Sequence, residues 1–155
     1  MEGINRMTAF ENNLNDILVD TFNYILKYEE SSLKTIADIP VTVTEAHMIE
    51  AISKKDGGSS VSDIASDLSI ALPTATVAVK KLQNKGFVSK VPCSDDGRRF
   101  IVSLTELGKK VDKAHRIFHR MMVRNISKQF SENEKIILLA AINKLSTFFK
   151  DKVEA

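Results

Sequence analysis

Between Gly57 and Gly108 the spacing of apolar residues changes twice, and that change limits what the chain can fold into. Ser60 and Asp63 make a capping pair for a short helix whose inward positions are Ile64, Ala65 and Leu68. After the brief link Ser69-Ile70-Ala71, Pro73 opens a further helix; proline suits a first turn because its missing N–H would have no partner there. That helix runs to about Lys85 and stops at Gly86. The period then drops to two. Phe87-Val88-Ser89-Lys90-Val91 and Arg98-Arg99-Phe100-Ile101-Val102-Ser103-Leu104 flank the polar run Pro92-Cys93-Ser94-Asp95-Asp96-Gly97, which predicts a β-hairpin with an extended tip. Helix, tight link, helix and hairpin, in that order, make a helix-turn-helix followed by a wing.

Helical rhythm surrounds this middle part. Residues 8–30 carry Phe10, Leu14, Ile17, Leu18, Thr21, Phe22, Ile25 and Leu26 at a 3.6-residue period, with Thr8 and Glu11 as a capping box. Pro40 and the β-branched Val41-Thr42-Val43 predict a loop or short extended piece over 31–43. A second helix is expected from near Thr44, with Ala46, Ile49 and Ile52 inward, until Gly57-Gly58. Thr105 caps a long fifth helix through Val111, Ala114, Ile117, Phe118, Met121, Met122 and Ile126. Ser131 and Glu134 cap a last one carrying Ile137, Leu138, Ala141, Leu145 and Phe148. The expected fold class is therefore mainly α with a small β-hairpin wing: a winged helix-turn-helix plus a helical frame.

At 155 residues, 43% of them hydrophobic, the chain is long enough for one core. No run of 18 apolar residues exists to span a membrane, and the polar start Met1-Glu2-Gly3-Ile4-Asn5-Arg6 is wrong for a secretory signal. The lone Cys93 excludes an internal disulfide framework and suits a reducing compartment, so a cytoplasmic location is expected. Net charge is only +2, but residues 72–99 hold Lys80, Lys81, Lys85, Lys90, Arg98 and Arg99 against Asp95 and Asp96. A basic patch confined to one region is the footprint expected for a phosphate backbone, although solvated charged faces are also common.

In a helix-turn-helix the second helix lies in the major groove with its N-terminal residues at the base edges. Thr74 and Thr76 stand there, small enough not to hold the helix away. Lys80, Lys81 and Lys85 follow, nearer the phosphates, where they would add salt-dependent affinity. At the wing tip an arginine can enter an A·T-rich minor groove, and Asp96 is spaced to orient Arg98. A plain surface ion pair is the competing reading of that tip.

With these residues in view, the sequence resembles the MarR family of winged-helix regulators along nearly its whole length. Ser60-Val61-Ser62-Asp63-Ile64-Ala65 and the stretch Pro73 to Val88 carry the likeness. Its most specific part is Asp96-Gly97-Arg98-Arg99-Phe100-Ile101-Val102-Ser103-Leu104-Thr105-Glu106-Leu107-Gly108, similar to the family's wing signature of Asp-x-Arg, an alternating strand, then Leu-Thr-x-x-Gly. The resemblance implies one domain over 1–155, with dimerisation helices at 8–38 and 105–150 and a DNA-binding lobe at 44–104. It implies a homodimer on a pseudo-palindromic double-stranded operator, with Ser60, Thr74, Thr76, Lys80, Lys81, Lys85, Asp96, Arg98 and Arg99 toward DNA, and repression as the sign. Val77 departs from the polar or basic residue of many relatives.

A narrower likeness joins His115-Arg116-Ile117-Phe118-His119-Arg120-Met121-Met122 and Val43-Thr44-Glu45-Ala46-His47 to the fatty-acid-biosynthesis repressor subgroup. It implies a long-chain acyl group, delivered on acyl carrier protein, as co-repressor. Phe22, His115, Phe118, Met121 and Met122 are the candidate lining, methionine adapting to irregular volumes. Burial alone also accounts for such a stripe.

His115 and His119, four apart on one helical face, have a spacing that can hold zinc. The sequence places no carboxylate beside them and nothing shows His47 joining them, so no metal site and no cofactor is assigned. Cys93 lies between Lys90 and the opposing Asp95 and Asp96, which argues against a reactive thiolate. No nucleophile elbow, phosphate-cradling loop or metal triad points to an enzyme. A metal- or small-molecule-responsive regulator on the same scaffold, and a helical protein–protein adaptor without DNA binding, remain as alternatives.

Overall fold

The computed structural model describes residues 6–93 and 100–153. It contains α1 (Ala9–Ala37), α2 (Val43–Ser53), α3 (Val61–Asp67), α4 (Leu72–Asn84), β1 (Val88–Pro92), β2 (Phe100–Leu104), α5 (Glu106–Ser127) and α6 (Glu132–Val153). The mainly helical class with a two-stranded antiparallel hairpin is as expected from the residue pattern. Among the described residues no helix is long and apolar enough to cross a membrane.

Two boundaries differ from the sequence expectation. Residues 31–37 are not a loop but the last two turns of α1, which ends only where Asp38 turns left-handed at φ 50°. The physical reason is that no breaker precedes Asp38, and Leu33 is fully buried, so packing extends the helix beyond what propensity suggested. Pro92, expected in the hairpin loop, is the last residue of β1 and pairs with Phe100. Proline is tolerated at such a strand end because its missing N–H costs no ladder bond.

The chain divides into two compact units, 1–118 and 119–155. In the first, Ile49 and Ile52 of α2, Ile64 of α3, Val79 and Leu82 of α4, Phe87, Val102 and Val111 form one core. Ser59 adds a further bridge to the hairpin, exchanging backbone hydrogen bonds of 2.9 Å with Val102 in both directions.

The helix-turn-helix is shaped by one backbone device used twice. At the end of α3, Ser69 N–H donates to Ser66 and Ile70 N–H to Ala65. At the end of α4, Gly86 N–H donates to Gln83 and Phe87 N–H to Leu82. Both are Schellman motifs, which need a left-handed residue just past the helix. Gly86 fills that place at φ 79°, but Ser69 fills the other at φ 52°.

The Leu-Thr-x-x-Gly run has an equally local cause. Thr105 donates its backbone N–H to Phe87 O at 3.1 Å and its hydroxyl to Gly86 O at 2.6 Å. The same hydroxyl oxygen accepts from Gly108 N–H at 3.1 Å and so caps α5. A Cβ on Gly108 would overlap the Phe87 carbonyl, so only glycine lets α5 start this close to the wing.

The second unit contains the end of α5 and α6. Ser131 and Glu134 form the expected capping box, with Ser131 N–H donating to Glu134 Oε2 at 2.8 Å. None of the described residues of α6 is buried; Ile136, Ile137 and Leu139 are 68%, 68% and 64% exposed.

Gly108→Ala is expected to lower unfolding stability by about 1–3 kcal/mol, the range for forcing atoms into a packed contact, as read by urea denaturation. Ser69→Gly removes the Cβ strain of the left-handed turn and should leave stability unchanged or raise it by up to about 1 kcal/mol, whereas Gly86→Ala should lower it by about 1–2 kcal/mol. Equal effects of the two glycine-site changes would remove the assignment of matched turns.

Candidate nucleic-acid interface

Ala75, Val79 and Leu82 turn one face of α4 into the core. With 3.6 residues per turn, Val77 falls at the middle of the opposite face, where it is 57% exposed. Thr74 and Thr76 flank it and, with Lys80 and Lys81, are exposed. This face supplies one branched alkyl group, two hydroxyls and two ammonium groups on a rigid helix.

The hydroxyls are not equivalent. Thr76 Oγ1 donates to Leu72 O at 2.9 Å, so its oxygen is directed back along its own helix and offers outward only lone pairs. Thr74 lines an open cleft of about 620 Å³ between the start of α2 and α4, together with Thr44, Met48, Val77 and Lys81. Thr44 is a polar residue of this surface that sequence reasoning missed. Its signal was the Thr42–Glu45 capping box, which fixes the start of α2 and carries Thr44 into the cleft.

Lys85 stands apart from the other two lysines. Its Nζ reaches both carboxylate oxygens of Glu45, at 2.7 and 2.9 Å, and so ties the end of α4 to the start of α2. Burial acts to raise the Glu45 carboxyl, but hydrogen bonds from Lys85 and the Thr42 backbone outweigh it and hold the group below its ordinary range. Ser60 accepts from Asp63 N–H and donates its own N–H back to Asp63, a reciprocal cap on α3. That hydrogen bonding holds the Asp63 carboxyl below its usual value. Asp96, Arg98 and Arg99 lie outside the described residues.

The proposed ligand-lining residues are placed differently from one another. Phe118 is buried with its ring edge-on to Tyr28 at 5.2 Å, and His115 is fully buried. Phe22 is 64% exposed and Met121 51% exposed, while Met122 is half-buried. His115 instead meets a carboxylate: Glu29 of α1, 2% exposed, accepts from the His115 and His47 imidazoles at 2.6 and 3.0 Å. Sequence reasoning missed Glu29, which sits 86 residues from His115 and 18 from His47.

Residues 41–100 match the MarR family. In three dimensions the chain is similar to FabT of Streptococcus pneumoniae, solved in complex with DNA: 28% identity, 90% of this chain and 97% of that one covered, TM-score 0.84. It is also similar to MepR of S. aureus in a DNA complex, at 20% identity, 92% and 98% coverage and TM-score 0.70. A MarR family protein from Bacillus stearothermophilus shares 17% identity, with 94% of this chain and 99% of that one covered and TM-score 0.68. The last two likenesses are of fold. No curated protein sequence matches the chain.

The Lys85–Glu45 pair has a definite pH sign. Because the folded Glu45 value is lowered from 4.5, its stabilisation is fully present at neutral pH and is lost as pH falls through that lowered value. Lys85→Met should move the Glu45 titration upward in a carboxyl-detected NMR experiment; an unmoved titration would mean that Lys85 does not hold it.

Proposed function

We propose that the chain is a MarR-family DNA-binding transcription regulator acting as a homodimeric repressor, a reading supported by the family match over residues 41–100 and by the likeness to FabT. Its operator is a pseudo-palindrome of double-stranded DNA, and long-chain acylated acyl carrier protein is its co-repressor. The observation that carries the DNA reading is the outward face of α4, where Thr74, Val77, Lys80 and Lys81 stand exposed on the second helix of a helix-turn-helix.

Each group has a physical task. Lys80 and Lys81 neutralise phosphates and release counterions. Val77, at the centre of the face, is suited to a thymine methyl, and Thr74 to a base edge or phosphate. Ser60 at the cap of α3 is assigned toward a phosphate, and Asp96, Arg98 and Arg99 toward the minor groove, by the family resemblance. Lys85 contributes through its ion pair with Glu45, by orienting α4.

The exposed apolar residues of α1 and α6 support the dimer. Phe10, Ile17 and Phe22 are 72%, 64% and 64% exposed, and Ile137 and Leu139 are as open, far more than a monomer leaves uncovered without use. The acyl co-repressor rests on the resemblance around His47 and His115–Met122 and on the likeness to FabT.

Fluorescence anisotropy with promoter DNA tests this reading. Binding should weaken steeply with salt, and Lys80→Ala or Lys81→Ala should each reduce the salt slope by about one. Arg98→Ala combined with Arg99→Ala should abolish specific binding. Long-chain acylated carrier should tighten the complex, and sedimentation equilibrium should give a dimer. Specific binding indifferent to the carrier would remove the co-repressor alone; no specific binding in any state would favour a protein–protein adaptor.

A further inference from the structure

We propose that Glu29, His47 and His115 bind a divalent metal ion of the zinc class, linking α1, α2 and α5. The Nε2 atoms of both imidazoles converge on one oxygen, Glu29 Oε1, at 3.0 and 2.6 Å. All three ligand atoms lie within 4.8 Å of one another. Two imidazole nitrogens and a carboxylate oxygen around one point are a donor set for zinc. Magnesium and calcium, which take oxygen ligands, are disfavoured by it.

The fit is close. Zinc bonds of about 2.0–2.2 Å set tetrahedral ligand atoms roughly 3.3 Å apart, so the 2.6 and 3.0 Å contacts to Glu29 need to lengthen by less than about 1 Å to admit the ion. Glu29 and His115 are buried, at 2% and 0% exposure, while the His47 side chain is 44% exposed and leaves a way in. Around the ligands there is a supporting carboxylate. Glu50 Oε2 lies 3.2 Å from His115 Nδ1, on the far side of the ring from Glu29. Metal-bound histidines regularly have such a partner on their other nitrogen.

An ion held here would join the long helix α1 and the start of α5 to α2, the helix that leads into the helix-turn-helix. The inference stands apart from the acyl co-repressor, because metal uptake is measured without DNA or carrier protein.

The test uses untagged full-length protein stripped with a chelator, then titrated with zinc or cobalt(II). We expect one zinc per chain in competition with a chromophoric chelator, a raised melting temperature, and cobalt d–d bands of a low-coordinate site that zinc displaces. His47→Ala, at a part-exposed position, should keep its helical circular dichroism while losing about tenfold or more in zinc affinity. Glu29→Gln, which keeps the shape of the side chain, should do the same. Absence of stoichiometric uptake by the native protein, or uptake undiminished in His47→Ala, would overturn the proposal and leave the cluster as hydrogen bonds alone.

Discussion

Glu29 is the constraint on which the upper part of this fold depends. A carboxylate only 2% exposed loses its hydration, a cost of several kcal/mol unless partners replace the water. Those partners come from two other helices, His47 on α2 and His115 on α5, so α1, α2 and α5 have to be placed within ångströms of one another. Apolar packing alone tolerates sliding; an imidazole meeting a buried carboxylate does not. Leu33, one turn after Glu29 and fully buried, continues the same contact and explains why α1 persists to Ala37.

A second set of constraints governs the DNA-facing part, and it is made almost wholly of backbone. The paired Schellman turns set the angle at which α4 leaves α3 and at which β1 leaves α4. Thr105 then gathers the Gly86 carbonyl, the Phe87 carbonyl and the first turn of α5 into one junction. Because that junction admits no Cβ at residue 108, the hairpin and α5 share a fixed origin. The exposed side chains of α4 can therefore vary without disturbing the frame that presents them, as the apolar Val77 at the centre of the face illustrates.

What could be read from sequence follows from the range of each interaction. The capping boxes Thr8–Glu11, Ser60–Asp63 and Ser131–Glu134 act over three residues, and each starts a helix where local reasoning put it. The hairpin was legible because alternation is local too. The last turns of α1 were not, since Ser31, Ser32 and Thr35 are weak helix formers and only tertiary burial of Leu33 decides the matter. Glu29 was invisible for a related reason: on α1 it reads as one more charge beside Glu30, and nothing local distinguishes the buried carboxylate from the exposed one. Lys85 and Lys81 look alike in sequence, yet only a partner forty positions away, Glu45, assigns Lys85 to the fold.

The two constraints meet in α2. Its first turn holds Glu45, which anchors the end of α4 through Lys85, and its next residues include His47 and Glu50, which face the buried cluster. A change at Glu29 therefore has a short physical route to the outward face of α4, through one helix of eleven residues. That route transmits a signal only if some ligand favours one placement of α2 over another, since a ligand with equal affinity for both shifts nothing. An ion at the cluster satisfies this condition directly, because its coordination geometry is met in one placement of the three helices and broken in others. An acyl chain must satisfy it by volume instead, through the apolar side chains of α1 and α5. The two kinds of ligand would thus act on the same helix by different forces, one directional and one not.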